Sequence, residues 1–366
     1  MLVNPFKPVF DYNELSYINQ NLEIENMVRN SLLEYSTVGT TLLLTGIRGS
    51  GKTSILTYLR KQIIQSNDQA YSKVIPISLN MSNELLDETI DKLASSINKD
   101  WFEDLSIEFG IPGLIKFSSD IVRATNATSF RGRLENILNI YKNKDLKVLF
   151  LIDEVQKTSE QLTTFTQAYS MVLSEGYKVG LVMAGLPNAI YKLTLTDPLT
   201  FIARAPLMKL EPLSNFEVEQ EYQLKFKEIG ADRLDFTGMS QFVSGNPYLF
   251  QAQGYKLWEL LEKKVESDTA LSMSQEYALQ MLYKNIYSLV IRGLSENERQ
   301  LLIDISKINN GINVSTNEII NQKNKWKYNN IGSPRVSLVQ WDLIDYQPRS
   351  PITIKQPYLV DYLKTI

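Results

Sequence analysis

The chain has 366 residues, 43% hydrophobic and 22% charged, with 38 Lys and Arg against 41 Asp and Glu for a formal net charge of −3. This is the balance of a globular protein with two or three domains, and it lacks the overall positive excess that marks many nucleic-acid binders. With no cysteine and no histidine, disulfides, thiol catalysis, the commonest metal ligand and the usual general base are excluded.

The opening Met1-Leu2-Val3-Asn4-Pro5-Phe6-Lys7-Pro8 lacks the apolar core of a secretion signal, and no apolar run reaches bilayer length. A cytoplasmic protein without a membrane partner is expected, with residues 1–25 as an N-terminal extension. Next, Thr41-Leu42-Leu43-Leu44 reads as a buried strand, and Ser54 to Arg60 has helical spacing. Between them lies Gly46-Ile47-Arg48-Gly49-Ser50-Gly51-Lys52-Thr53, which matches G-x-x-x-x-G-K-[ST] in the strand-loop-helix context that a phosphate cradle needs. Glycines let successive N–H groups turn inward, and the following helix offers its free N–H groups and positive end to the same anion. Residues Gly46 to Ser54 are therefore expected to hold ATP. Lys52 would reach its β- and γ-phosphates, and Thr53 would hold Mg²⁺. Arg48 could contact phosphate or anchor a lid.

Val74 to Leu79 reads as a second strand, and the stretch 99–127 as an insertion of unassigned role. Lys147-Val148-Leu149-Phe150-Leu151-Ile152-Asp153-Glu154 is apolar without alternation, as in a strand covered on both faces, and ends in two carboxylates where α/β sheets place their ligands. Asp153 is expected to bind Mg²⁺ and Glu154 to activate the attacking water. Strands at Gly180 to Ala184 and Ala205 to Leu210 complete a doubly wound parallel α/β core over 26–212. Arg204, just before the last strand, is either a surface charge or an arginine that reaches a neighbouring subunit's phosphate in a homo-oligomer.

Beyond Leu213, the capping box Ser214-Asn215-Phe216-Glu217 opens a helical domain expected over 213–286. A second box, Ser295-Glu296-Asn297-Glu298, opens a module expected over 287–366. It reads as helices at Glu296 to Ser306 and Thr316 to Gln322, a third capped by Ser333 with Pro334 first, and two short strands around Gln347 to Pro351. Three helices plus a wing make a winged helix-turn-helix. Its third helix would aim Arg335 and Gln340 at a major groove of duplex DNA, with Lys325, Lys327 and Arg349 near phosphates. This module carries 10 Lys and Arg against 7 Asp and Glu, a local +3. A winged helix can equally dock a protein partner.

Asn4-Pro5-Phe6-Lys7-Pro8, the Gly-x-Arg-Gly-x-Gly-Lys-Thr loop, Leu151-Ile152-Asp153-Glu154-Val155, Ala184-Gly185-Leu186-Pro187 and Gly245-Asn246-Pro247-Tyr248 follow one another in order. The chain so resembles, over nearly its full length, the bacterial AAA-type ATP-binding proteins related to archaeal origin-recognition ATPases. The resemblance implies an AAA+ P-loop core with Asp153 and Glu154 as the Walker B pair, a helical lid and a C-terminal DNA-binding-like domain. It makes Asn188 a candidate γ-phosphate sensor, although Pro187-Asn188 also suits a plain turn. Many AAA+ lids carry Gly-x-Pro-Arg, and Tyr248 stands where that arginine would be. Relatives often carry Gly-Arg before the first core helix, whereas this chain reads Tyr17 to Glu23. The readings that compete are a DNA-binding ATPase switch, a STAND-like signalling NTPase with a protein partner, and a regulator that uses nucleotide only structurally.

Overall fold

The computed structural model describes residues 3–8, 22–33, 41–65, 67, 71, 73–97, 127–155, 159–196, 199, 201–322 and 325–366. The expected insertion at 99–127 lies outside the described residues except for residue 127, as does Tyr17 to Asn21. Described residues group into two compact units, one drawn from Asn21–Thr45 and Ile55–Lys209, the other from Met1–Gln20, Gly46–Ser54 and Leu210–Ile366.

The first unit is a parallel sheet with helices. In chain order it contains α1 (Leu22–Leu33), β1 (Thr41–Thr45), α2 (Lys52–Gln65, whose first three residues group with the other unit), β2 (Val74–Asn80), α3 (Leu85–Ser95), α4 (Phe130–Asn143), β3 (Lys147–Val155), α5 (Glu160–Ser174), β4 (Val179–Gly185), α6 (Pro187–Thr194), a 3₁₀ turn (Ile202–Arg204) and β5 (Leu207–Lys209). The strand order is β2-β3-β4-β1-β5, and every pairing is parallel. The expected α/β fold is thus present. Strands β1 and β4 are buried along their whole length, and β3 from Val148 to Asp153. That is why their sequences read as apolar runs without alternation. Phe150 meets Phe165 of α5 edge-on, with ring centroids 5.3 Å apart. Leu134, Ile137 and Tyr141 of α4 join the same core. Ser129 and Ser159 cap α4 and α5 by accepting the Gly132 and Leu162 amides, which fixes where these helices start. β5 is shorter than the sequence suggests, pairing with β1 only over Leu207–Lys209 at the sheet edge.

The second unit is helical. It contains α7 (Asn215–Lys227), α8 (Phe236–Val243), α9 (Pro247–Glu262), α10 (Ser267–Leu282), a π-helical turn (Tyr283–Tyr287), α11 (Ser288–Gly293), α12 (Glu296–Ser306), α13 (Thr316–Gln322), α14 (Gly332–Gln340), β6 (Ile344–Asp345), β7 (Thr353–Ile354) and α15 (Leu359–Leu363). Both expected capping boxes form, at Ser214 with Glu217 and at Ser295 with Glu298. A third, which the sequence reading missed, pairs Ser315 with Glu318 at the head of α13. α14 departs from expectation. It begins at Gly332 with Ile331 as its N-cap and no side-chain cap, so Ser333 sits inside the first turn rather than closing it.

One apolar cluster of this unit joins α7, α8 and α9 through Tyr222, Phe226, Met239, Phe250 and Trp258. Phe6 lies within it, fully buried, so the opening segment contributes to a core instead of trailing from it. The other gathers Leu301, Leu302, Ile305, Trp326 and Leu338 with Tyr287 and Leu359. Strands β6 and β7 pair antiparallel, and Val314 bridges to Ile352 beside them. No helix among the described residues is long and apolar enough to cross a membrane.

Candidate functional site

The loop after β1 is built by its glycines. Gly49 and Gly51 have φ of 81° and 93°, a region that side-chain-bearing residues rarely enter. A Cβ at Gly46 would lie 2.3 Å from Ser50 Oγ, so the loop curls tightly upon itself. The Ser50 amide closes that curl by donating to the Ile47 carbonyl at 3.2 Å. Lys52 folds back over the loop, its ammonium donating to the Gly46 and Ile47 carbonyls at 2.7 Å each. Arg48 is exposed, while Thr53 and Ser54 are half-buried on the first turn of α2. Ser50 Oγ is buried with no hydrogen-bond partner among the described residues.

At the end of β3 the two carboxylates part company. Asp153 is 7% exposed and pairs in register with Asn80 of β2. Its Oδ1 accepts the Glu154 amide at 2.7 Å, and its carbonyl accepts from the Met81 amide. Glu154 is exposed and has a φ of 57°. The β3–β4 register shifts between Ile152 and Val155 at the same place. This bulge turns one carboxylate inward beside the sheet and leaves the next in solvent. A non-glycine residue held in the left-handed region costs on the order of 1 kcal/mol or more, which the surrounding ladder must offset.

β4 ends at Gly185, paired with Thr45 of β1. Asn188 follows on the first turn of α6, behind Leu186 and Pro187. Its Oδ1 and the Thr45 Oγ1 are buried without partners among the described residues. Arg204 is exposed on the 3₁₀ turn before β5 and makes no ion pair among them.

In the helical unit, Asn246 is a cap, accepting the Tyr248 and Leu249 amides at 2.9 and 3.1 Å, with Pro247 at the first position of α9. Tyr248 accepts from Asn285 Nδ2 at 2.8 Å. Burial pushes its hydroxyl above the usual tyrosine range, so it stays neutral. The same pair of elements backs the loop. A Cβ on Gly49 would lie 3.1 Å from Ile286 Cδ1 and 3.5 Å from Tyr248 Cβ. This contact between the loop and the π turn carried no sequence signal, because π turns have no sequence signature of their own.

In the C-terminal part, Lys325, Lys327 and Arg349 are exposed, Arg349 at the ribbon turn between β6 and β7. Gln340 ends α14 half-buried. Arg335 differs from the outward-facing residue expected. Its guanidinium carbon lies 4.0 Å from the Tyr346 ring centroid, and Nη1 donates to Thr316 Oγ1 at 3.0 Å. Val336 and Val339 of the same helix are 52% and 37% exposed.

A family model described as an AAA domain matches residues 37–193. Residues 37–193 are thus similar to an AAA domain. Two structures of the Aeropyrum pernix ORC2 protein are similar to the chain from end to end. That of the ADPNP–ADP complexes is 12% identical, covers 98% of this chain and 97% of its own, and superposes with a TM-score of 0.64. That of the ADP form is also 12% identical, covers 99% and 95%, and has a TM-score of 0.55. At that identity the likeness shows the fold alone. No curated protein matches the sequence.

Proposed function

We propose that the protein is an ATP-dependent switch that binds ATP with Mg²⁺ at Gly46 to Ser54, hydrolyses it slowly, and engages duplex DNA through a winged helix formed by α12 to α14, β6 and β7. The observation that carries the nucleotide reading is the loop itself, a glycine-shaped turn that follows β1, closes on its own Ile47 carbonyl and is crossed by the Lys52 ammonium. Ser50 Oγ on the loop, Thr45 Oγ1 at the end of β1 and Asn188 Oδ1 on α6 are buried polar atoms without partners among the described residues. The Aeropyrum protein that shares the fold was captured with ADPNP and ADP.

On this reading Lys52 exchanges two neutral carbonyls for phosphate oxygens, a stronger charge-assisted pairing. Thr53 and Asp153 would hold Mg²⁺, whose role is to neutralise phosphate charge. The donor set fits, because one carboxylate and one hydroxyl suit an ion that keeps waters and phosphate oxygens in its shell. No cluster of three or more acidic groups that could cage a metal occurs among the described residues. Glu154, solvated at the bulge, accepts the proton of the attacking water. Asn188 orients the γ-phosphate side, and Arg204 acts across copies in a homo-oligomer. Lys52→Ala should abolish or greatly weaken Mg-ATP binding by calorimetry, and undiminished affinity would sink the nucleotide assignment.

Lys325, Lys327 and Arg349 supply phosphate contacts to DNA, with Gln340 toward the bases, while Arg335 buttresses the module from within. The second reading, a STAND-like NTPase that docks a protein, draws on the exposed Val336 and Val339 of α14. A salt titration decides between them, because DNA phosphate contacts leave a counterion-release slope.

A further inference from the structure

The described opening residues lie on the helical unit in the manner of a bound peptide. Val3 is exposed, Asn4, Pro5, Lys7 and Pro8 are half-buried, and only Phe6 is sunk completely. Its ring sits 5.4 Å from Phe226, 5.5 Å from Phe250, 5.6 Å from Tyr222 and 6.4 Å from Trp258, centroid to centroid. One anchor in an aromatic pocket, with a half-wet flank on each side, is the anatomy of a linear recognition motif.

The polar contacts select the residues beside the anchor. Asn4 Oδ1 accepts the Phe6 amide at 3.0 Å, a self-closed turn that Pro5 stiffens by fixing its own φ. Asn4 Nδ2 donates to the Tyr255 carbonyl at 3.0 Å, and the Lys7 amide donates to Gln251 Oε1 at 2.8 Å. Gln251 and Tyr255 lie one helical turn apart on α9, flanking Gly254. Gly254 is the pocket floor. A Cβ there would fall 2.5 to 2.7 Å from three atoms of the Phe6 ring, so no larger residue admits the anchor. A glycine within a 16-residue helix weakens that helix, and the seat for Phe6 is the compensating use.

We propose that α9, with α7 and α8, forms a recognition site for Asn-Pro-Phe turns, occupied in cis by this chain's own Asn4 to Lys7 and open to exchange with the same segment of a second copy. The required features are an Asn side chain that both closes the turn and donates to the helix, a proline that holds it, and an aromatic ring that fits over Gly254. The ligand is a short peptide turn with one aromatic anchor, distinct from nucleotide and from DNA.

The test leaves the folded chain intact and frees its arm. A site-specific protease sequence replaces residues 11–17, the purified protein is cleaved there, and a fluorescein-labelled peptide of residues 2–8 is added. The uncleaved chain should take up little label, since its own arm competes at high effective concentration. The cleaved chain should bind label saturably, and unlabelled peptide of the same sequence should displace it. Peptide carrying Asn4→Ala should compete about tenfold more weakly, through loss of both side-chain hydrogen bonds. Peptide carrying Phe6→Ala should compete on the order of a hundredfold more weakly. In the cleaved protein, Gly254→Leu should block uptake, with circular dichroism reporting whether the helices persist. The proposal is overturned if cleavage unfolds the helical unit, if no label enters the cleaved chain, or if the Asn4→Ala and Phe6→Ala peptides compete as well as the parent.

Discussion

At the scale of single residues, Glu154 shows how one backbone irregularity can give two neighbouring carboxylates different surroundings. Had β3 continued regularly, alternation would also place Asp153 and Glu154 on opposite faces, but both would remain in the ladder. The bulge and the φ of 57° take Glu154 out of it and into solvent, while Asp153 stays 7% exposed and hydrogen-bonded. A Glu154→Gln variant should therefore keep ATP affinity while turnover falls by on the order of 10²-fold or more, because the amide cannot accept the water's proton. Paired calorimetry and phosphate-release assays check it, and equal turnover in the variant would remove Glu154 from the chemistry. The identities of Asp153 and Glu154 were legible in the sequence from the apolar run before them. Their divergence was not, since a bulge forms from register between two strands and leaves no mark in either alone. Arg335 makes the same point. Its place on α14 could be read, but its stacking on Tyr346 depends on a ribbon strand whose position only the packed domain defines.

At the scale of elements, hydrogen-bond caps proved legible and packing choices did not. Ser214 with Glu217 and Ser295 with Glu298 both form the reciprocal pair that their spacing implies. Ser295→Ala should cost about 1 kcal/mol through the lost cap, and the loss should concentrate in the first turn of α12. Hydrogen exchange resolved by residue is the suitable measurement, since a chain of two units need not unfold in one step. Faster exchange spread evenly over both units, with none specific to α12, would contradict the local role. The π turn at Tyr283–Tyr287 has a larger consequence. It presents Ile286 to Gly49 and Asn285 to Tyr248, so a bulky residue at position 49 would meet both backbone strain and a filled space. Gly49→Val should both weaken nucleotide binding and lower the thermal midpoint. Unchanged affinity in a folded Gly49→Val protein would show that the loop tolerates displacement from the π turn.

At the scale of the molecule, the net charge of −3 hides an uneven distribution. Residues 287–366 hold 10 Lys and Arg against 7 Asp and Glu, so the remainder carries 28 against 34, or −6. Exposed Lys325, Lys327 and Arg349 belong to the positive part. Arg335 is spent internally on Tyr346 and Thr316. DNA binding by the full-length chain should fall with rising salt. Lys327→Ala should weaken binding to all sequences alike and reduce the salt slope by about one, because one phosphate contact is lost. Arg335→Ala should behave differently. Removing its guanidinium deletes a cation–π contact and a hydrogen bond, so it should destabilise the C-terminal module by about 1 to 2 kcal/mol and leave the salt slope of the folded fraction nearly unchanged. Anisotropy titrations at several salt concentrations, with and without ATP, separate the two effects when read beside thermal melts. A stable Arg335→Ala protein that loses discrimination between DNA sequences would return that residue to base reading. A full chain whose DNA binding has no salt slope would transfer the module to protein docking through the Val336 and Val339 face of α14.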